Sequence, residues 1–306
     1  ELGLVNEVQI VGIWKRGLNF IENIDSNRKI IRIKTVFQRF NISNLVLKKI
    51  LLLSGVIELN FKFFFIILNY KPIFISCHNL ILLPVCVLGK FLTKAQLIYV
   101  PHELETEKTG LNRFYKSLYK ILERFFFKFI DKTIVVCQPI ADWYKMSYNT
   151  NEVFVLRNVP IKSEVSQPLN KSTILRDEFK IAENDIVFIY QGNIDKARGC
   201  KDIIDIFKIC QKNKHLVMMG YGELVPYLQE ASFTCSNIHY KPAVPIERIL
   251  DYTSSANIGL IFLPFDISLS YKLSMPNKFF EYTLSGLPIV VSDNLEYLSN
   301  EIANNN

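Results

Sequence analysis

The chain has 306 residues, 49% hydrophobic and 21% charged, a globular usage that excludes a disordered chain. Twelve Gly and twelve Pro exclude collagen-like and low-complexity sequence, and the length suggests about two domains. The net charge of +7 is uneven: residues 1–130 carry 19 Lys/Arg against 9 Asp/Glu, and the remainder 17 against 20, which points to an anionic surface or polyanion contacting the first half.

In chain order, residues 8–13 and 29–33 read as strands and 45–69 as a long helix. Lys48, Lys49, Glu58 and Lys62 interrupt that helix, so no clean run of about 18 apolar residues is expected. No signal-peptide pattern opens the chain. The expectation is a cytoplasmic chain that does not span a membrane. A short buried strand follows at 73–77, then a helix at 79–92 that includes Pro84, and a strand at 96–100 ending in Pro101-His102-Glu103.

Residues 111–130, LNRFYKSLYKILERFFFKFI, repeat apolar side chains at helical spacing, with Arg113, Lys116, Lys120, Arg124 and Lys128 on the other side. One reading is a basic amphipathic helix lying on anionic lipid, with these five residues facing the membrane. The other is a core-packed helix with a solvated basic face. No nucleic-acid motif is present, so nucleic acid is not an expected partner. A strand at 132–137, a helix at 138–148 and a strand at 152–156 complete the first series.

The six cysteines form no C-x-x-C pair and show no zinc spacing with a histidine. They read as free thiols in a reducing compartment. No metal site is expected.

Residues 162–175 are polar and read as a boundary. Beyond them runs a second β-then-α series, with strands at 186–190, 215–219, 237–240, 257–262 and 287–292. Its helices are expected at 202–212, 246–255 and 277–285. Apolar strands alternating with helices indicate buried parallel sheets. The expected class is α/β, with two doubly wound Rossmann-like units facing across a cleft.

Ligands on such sheets bind beyond the carboxyl ends of the strands, and three junctions there carry the chemistry. In Gln191-Gly192-Asn193-Ile194-Asp195-Lys196-Ala197-Arg198-Gly199, Gly192 lets backbone approach a ligand. Arg198 supplies a permanent cation for a diphosphate. Gly220-Tyr221-Gly222 is a short glycine turn with room for a base or ribose. In Ser274-Met275-Pro276-Asn277-Lys278, proline near a helix start leaves free N–H groups as an anion seat, and Lys278 adds charge. Glu281 suits a ribose diol; its alternative role is a surface ion pair with Lys278.

The stretches YQGNIDKARG, LVMMGYGEL, ANIGLIFLP and MPNKFFEYTLSGLPIVVS resemble the donor-binding half of a family 4 (group 1) glycosyltransferase of the GT-B fold, in a subgroup with a PNK-F-E-Y motif. DKTIVVCQPIADWYKMSY with VFVLRNVP is similar to the end of that family's acceptor domain, and YVPHELE to its histidine loop. The resemblance covers most of residues 95–306. It implies an acceptor-binding domain at 1–165 and a nucleotide-sugar donor domain at 166–306.

It also implies metal-independent transfer, with retention, from a UDP- or GDP-type sugar to a glycan or lipid-linked acceptor. No cofactor is expected, since the nucleotide-sugar is a substrate. Carried over by position, Arg198 would hold the diphosphate, and Gly192 with residues Ser274 to Asn277 would line phosphate and sugar. Glu281 would bind ribose, Gly220 to Gly222 the base, and His102 the transferred sugar.

Two positions depart from the family. Asn193 stands where it has a basic residue, leaving Lys196 as a substitute cation, and Leu273 stands where it has a glutamate. His78, after another strand, is a lower-ranked acceptor-side candidate; His215 and His239 read as structural. The expected setting is cell-surface polysaccharide or lipopolysaccharide synthesis, in the cytoplasm or peripheral on the inner membrane face. The alternatives are an epimerase on the same architecture and a catalytically dead binding domain. A dehydrogenase is disfavoured, because no G-x-G-x-x-G follows a strand. Both ends of the chain read as truncated relative to the family.

Overall fold

The computed structural model describes residues 7–39, 44–108, 110–159, 172–264 and 268–304. They form two units, residues 1–106, 113–134 and 148–154 in the first, and 107–112, 135–147 and 155–306 in the second. The expected boundary at 165/166 lies outside the described residues, as do Pro160 and most of the polar stretch before Leu175. The end of that stretch is not linker: Ile174 opens a helix, and Leu175 is fully buried.

The first unit holds two sheets. In one, β1 (Val8–Ile13) runs parallel to β3 (Arg28–Ile33), and β2 (Ile21–Asn23) pairs antiparallel on the far side of β3. This antiparallel edge was not expected. In the other, β4 (Phe74–Cys77), β5 (Gln96–Tyr99), β6 (Lys132–Val135) and β7 (Val153–Val155) lie in that order, with β4, β5 and β6 parallel. Buried Ile75, Cys77, Leu97 and Tyr99 alternate with more exposed neighbours.

Helix α1 is Leu45–Tyr70, α2 Leu83–Thr93 and α3 Arg113–Phe127; α4, Gln138–Tyr148, belongs to the second unit except for Tyr148. The helix expected from Asn79 begins instead with a 3₁₀ turn at Leu80–Leu82, capped by the Asn79 side chain. Pro84 then sits in the first turn of α2, where its missing N–H costs nothing. Despite its charges, Leu47–Tyr70 is long and apolar enough to cross a membrane by length and composition.

The second unit is built on a five-stranded parallel sheet. Its strands are β8 (Ile186–Asn193), β9 (Lys214–Tyr221), β10 (Ile238–Pro242), β11 (Ile258–Ile261) and β12 (Ile289–Val291), in the order β10-β9-β8-β11-β12. The chain winds outward from β8 through β9 to β10, then returns to β11 on the other side of β8. That reversal is the topological switch point, where ligands sit on open α/β sheets.

Helices α5 (Ile174–Phe179), α6 (Cys200–Ile209), α7 (Val225–Thr234), α8 (Ile249–Thr253), α9 (Leu269–Lys272), α10 (Asn277–Leu284) and α11 (Glu296–Asn304) complete the unit. One core cluster joins Ile203, Ile204 and Phe207 of α6 to Leu216 and Met218 of β9 and Leu228 of α7. β9 is buried nearly throughout, which is why LVMM reads as a continuous apolar run. Truncating such a residue to Ala costs about 2–5 kcal/mol. All six cysteines are free, and Cys77, Cys86, Cys137 and Cys200 are buried.

Candidate functional site

The three junctions meet at the carboxyl end of β8. Gly192 and Gly220 face each other in register, and a Cβ on Gly220 would lie 1.8 Å from the Gly192 carbonyl oxygen. A Cβ on Gly222 would lie 2.3 Å from the Ile194 oxygen. Close backbone approach of β8 and β9 therefore requires these glycines, whatever else they admit. Between them Tyr221 is exposed at the strand tip.

After β8 the chain turns through a short 3₁₀ segment, Lys196–Arg198, closed by Gly199 in the left-handed region. Asp195 caps this turn by accepting the Arg198 N–H at 2.9 Å. Asn193 donates its side-chain amide to the same carboxylate. Lys196 is exposed, with its N–H on Glu223. The Arg198 side chain lies against the Tyr271 ring, 5.6 Å from its centroid. Its Nε is buried without a hydrogen-bond acceptor, the Asp195 carboxylate standing 3.8 Å away.

α10 supplies the rest. Pro276 is its extended N-cap, and no side chain caps the helix, so the first N–H groups stay available. Met275 is buried, Ser274 donates to the Tyr271 carbonyl, and Asn277 is exposed and accepts from Asn158 at 3.1 Å. Lys278 points inward. Its ammonium lies 3.6 Å from the centroid of the Tyr190 ring and beside Gly192, where a Cβ would stand 4.0 Å from Nζ. Burial, and then the Arg198 charge, push the Lys278 pKa down to about 7.

The ion pair weighed for Glu281 with Lys278 does not form. Glu281 instead accepts from the Gln191 side-chain amide. The Gln191 oxygen in turn accepts from the Thr253 hydroxyl at 2.9 Å. Burial raises the Glu281 pKa, against the Gln191 bond and the Lys278 charge. The Tyr282 hydroxyl accepts the Gln191 backbone N–H at 3.3 Å and donates to the Ile189 carbonyl at 3.2 Å. Sequence reasoning placed Gln191 and Tyr282 within the junctions but gave neither a role, and it did not name Thr253. A buried amide ending an otherwise apolar strand is the signal that marks Gln191.

In the first unit, His102 follows β5 and His78 follows β4. Their rings stack with Nε2 of His102 3.1 Å from Nδ1 of His78, whose Nε2 meets the Ser76 hydroxyl at 2.9 Å. Burial, and then His102, lower the His78 pKa. His215 sits at the opposite, amino end of β9, bridging Asp185 and His239. Burial, and then His215, lower His239 to about 4. Of the five basic residues expected to face a membrane, Arg113, Lys120, Arg124 and Lys128 are exposed and Lys116 is half-buried. Among the described residues no three His, Cys, Asp or Glu side chains gather as metal ligands.

No family model matches the chain. It is 27% identical over 193 residues to an uncharacterized glycosyltransferase of Methanocaldococcus jannaschii, across 57% of this chain and 46% of that protein. The chain thus spans about half the length of that curated relative. Sucrose-phosphate synthase from Thermosynechococcus elongatus superposes with a TM-score of 0.67 at 13% identity, over 93% of this chain and 71% of its own. Anabaena HepE, solved in complex with UDP, superposes at 0.60 with 12% identity, over 86% of this chain and 66% of its own. With the two parallel-sheet units, these likenesses establish the GT-B fold.

Proposed function

We propose that the chain is a family 4 (group 1) glycosyltransferase that moves a sugar from a nucleoside-diphosphate donor to a glycan or lipid-linked acceptor. The observation that carries this reading is the pair of cations at the switch point. Lys278 is buried and, among the described residues, forms no ion pair. Arg198 beside it buries an Nε without an acceptor. An anion reaching both groups would add charge-assisted contacts to Lys278 and to Arg198, whose nearest carboxylate, Asp195, stands 3.8 Å away. Further support comes from the Methanocaldococcus jannaschii relative and from HepE, whose structures hold UDP and UDP-glucose.

On this reading the diphosphate lies over the first turn of α10, with Lys278 and Arg198 on its oxygens and Glu281 on the ribose. Asn193, Lys196 and Ser274 border the sugar side, and the Gly220–Gly222 turn borders the base. His102 is assigned to the transferred sugar on the sequence resemblance alone. As the bond from the anomeric carbon to the leaving phosphate oxygen breaks, negative charge grows on the diphosphate. The two cations and the helix N-terminus stabilise it, so no metal is required. The acceptor oxygen bonds to the anomeric carbon on the same face. Its proton passes to the departing diphosphate oxygen, and the configuration is retained. The product class is cell-surface polysaccharide or lipopolysaccharide.

The test is transfer itself: tritiated sugar from UDP- and GDP-sugars, offered with EDTA to lipid-linked and free glycan acceptors. Label in the acceptor, lost in Arg198→Ala, supports the proposal. Donor that binds and never turns over with any acceptor refutes the enzymatic part.

A further inference from the structure

Three neighbouring helices of the first unit bury apolar residues, among them Ile67, Val85, Val87 and Phe127, and are apolar on their outer sides as well. α2 touches both α1 and α3, and each turns an apolar stripe to solvent. On α3, Phe114, Leu118, Ile121 and Phe125 recur at spacings of four, three and four residues and are 72%, 45%, 68% and 55% exposed. The inward side of the same helix carries Phe127, stacked on the Tyr148 ring, together with one buried carboxylate. Glu123 is fully buried and accepts from the hydroxyls of Tyr99 at 2.9 Å and Tyr148 at 2.6 Å.

α1 repeats the arrangement. Glu58 accepts the Val36 N–H and pairs with Lys62, which also reaches the Lys34 carbonyl at 2.9 Å. Ile50, Leu53, Ile57, Phe61 and Phe65 are exposed. On α2 the exposed residues are Leu88, Phe91 and Leu92. Phe91 meets Phe129 at 5.5 Å, and Phe129 meets Phe125, so the stripes of α2 and α3 join. A surface helix of a water-soluble domain instead turns a polar face to solvent.

Charge identifies the occupant. The three helices carry eight Lys/Arg and two carboxylates; Lys62 is held by Glu58 and Lys90 by Asp131, and exposed Lys48, Lys49, Arg113 and Arg124 are among the rest. Those two carboxylates are Glu58 and Glu123, both engaged by the inward contacts above. The outward side therefore combines apolar side chains with an excess of cations, the complement of an anionic lipid surface, while both helix carboxylates are taken up by inward contacts. A second copy of the same face would bring cations against cations.

We infer that α1, α2 and α3 form a docking face that lies on an anionic bilayer, with the apolar stripes in the headgroup–acyl boundary and the Lys/Arg on lipid phosphates. α1 lies on the membrane and does not cross it, because its Glu58–Lys62 side is tied to residues 34–36 of the same unit. This inference is independent of the proposed transfer reaction.

The experiment is co-sedimentation of the full chain with vesicles of phosphatidylcholine, with or without phosphatidylglycerol, followed by an alkaline carbonate wash. Binding is expected with phosphatidylglycerol, weaker in high salt and weaker with phosphatidylcholine alone, and the wash releases the protein. Ile121 and Arg124 are exposed, and an unchanged circular-dichroism spectrum and melting curve of Ile121→Asp and Arg124→Gln verify their fold. Each should weaken binding, Arg124→Gln by roughly fivefold.

Retention after the carbonate wash would overturn the inference in favour of a spanning helix. Equal binding to both vesicle types, or no binding, would overturn it outright. Self-association that Ile121→Asp abolishes would assign the face to a second copy instead.

Discussion

Replacing Lys278 by Met should stabilise the protein while removing donor binding. Burial and Arg198 move the Lys278 pKa from 10.5 to about 7. The unfolded chain therefore holds this proton more readily than the folded one throughout that window, and stability rises with pH across it. The penalty for a buried lysine is then about 4 kcal/mol at pH 7 and about 1 kcal/mol at pH 10. Met keeps the stem and drops the charge. It forfeits the contact with the Tyr190 ring, worth about 1–2 kcal/mol. The net gain at pH 7 is about 2–3 kcal/mol, or roughly 5–10 °C in melting temperature. By pH 10 the gain should vanish. Thermal unfolding of both proteins at the two pH values is the assay, with UDP-glucose titration beside it; Lys278→Met should bind it about 10–100-fold more weakly. A variant that melts lower at pH 7, or whose difference from the parent is the same at both pH values, would refute this account of Lys278.

Because the donor diphosphate favours protonated Lys278, its affinity should fall as pH rises above about 7, by at most about tenfold per pH unit. Calorimetric titration of UDP-glucose across that range should show this slope, and Lys278→Met should lack it. Gly220→Ala places a methyl 1.8 Å from the Gly192 oxygen and, as an overpacked site against backbone, should lower stability by about 3 kcal/mol or more. Gly286→Ala, where φ is +66° and no atom lies within 4 Å, should cost only about 1 kcal/mol of backbone strain. Urea titrations of the two variants compare them. Tyr282→Phe removes the acceptor for the Gln191 N–H and should cost about 1–3 kcal/mol in the same assay, with weaker donor binding because Gln191 also holds Glu281.

The strand-end motifs were legible because each residue type there answers a local demand. Pro276 opens a helix and β9 reads as buried on both faces, whereas Gly220 and Gly222, read as room for a base or ribose, are tied by the structure to the close approach of β8 and β9. The partner of Glu281 was not legible, since Gln191 lies 90 positions away and only the sheet brings them together. The periodicity of α3 located its apolar stripe but not which face turns inward. That is decided by Tyr99 and Tyr148, which satisfy Glu123 from distant strands and helices. β2 has only three residues, all exposed, too few to show an alternating pattern.

The most direct test of the central claim is a metal-free thermal-shift panel of UDP, GDP, ADP and their sugar conjugates, run on this chain and on Arg198→Ala. A ligand that binds only the folded state raises the melting temperature by mass action. The account predicts a rise with one nucleotide series, abolished in Arg198→Ala. An unchanged melting temperature with every nucleotide, or a rise that Arg198→Ala leaves intact, would contradict the assignment of the β8–α10 junction as a donor site.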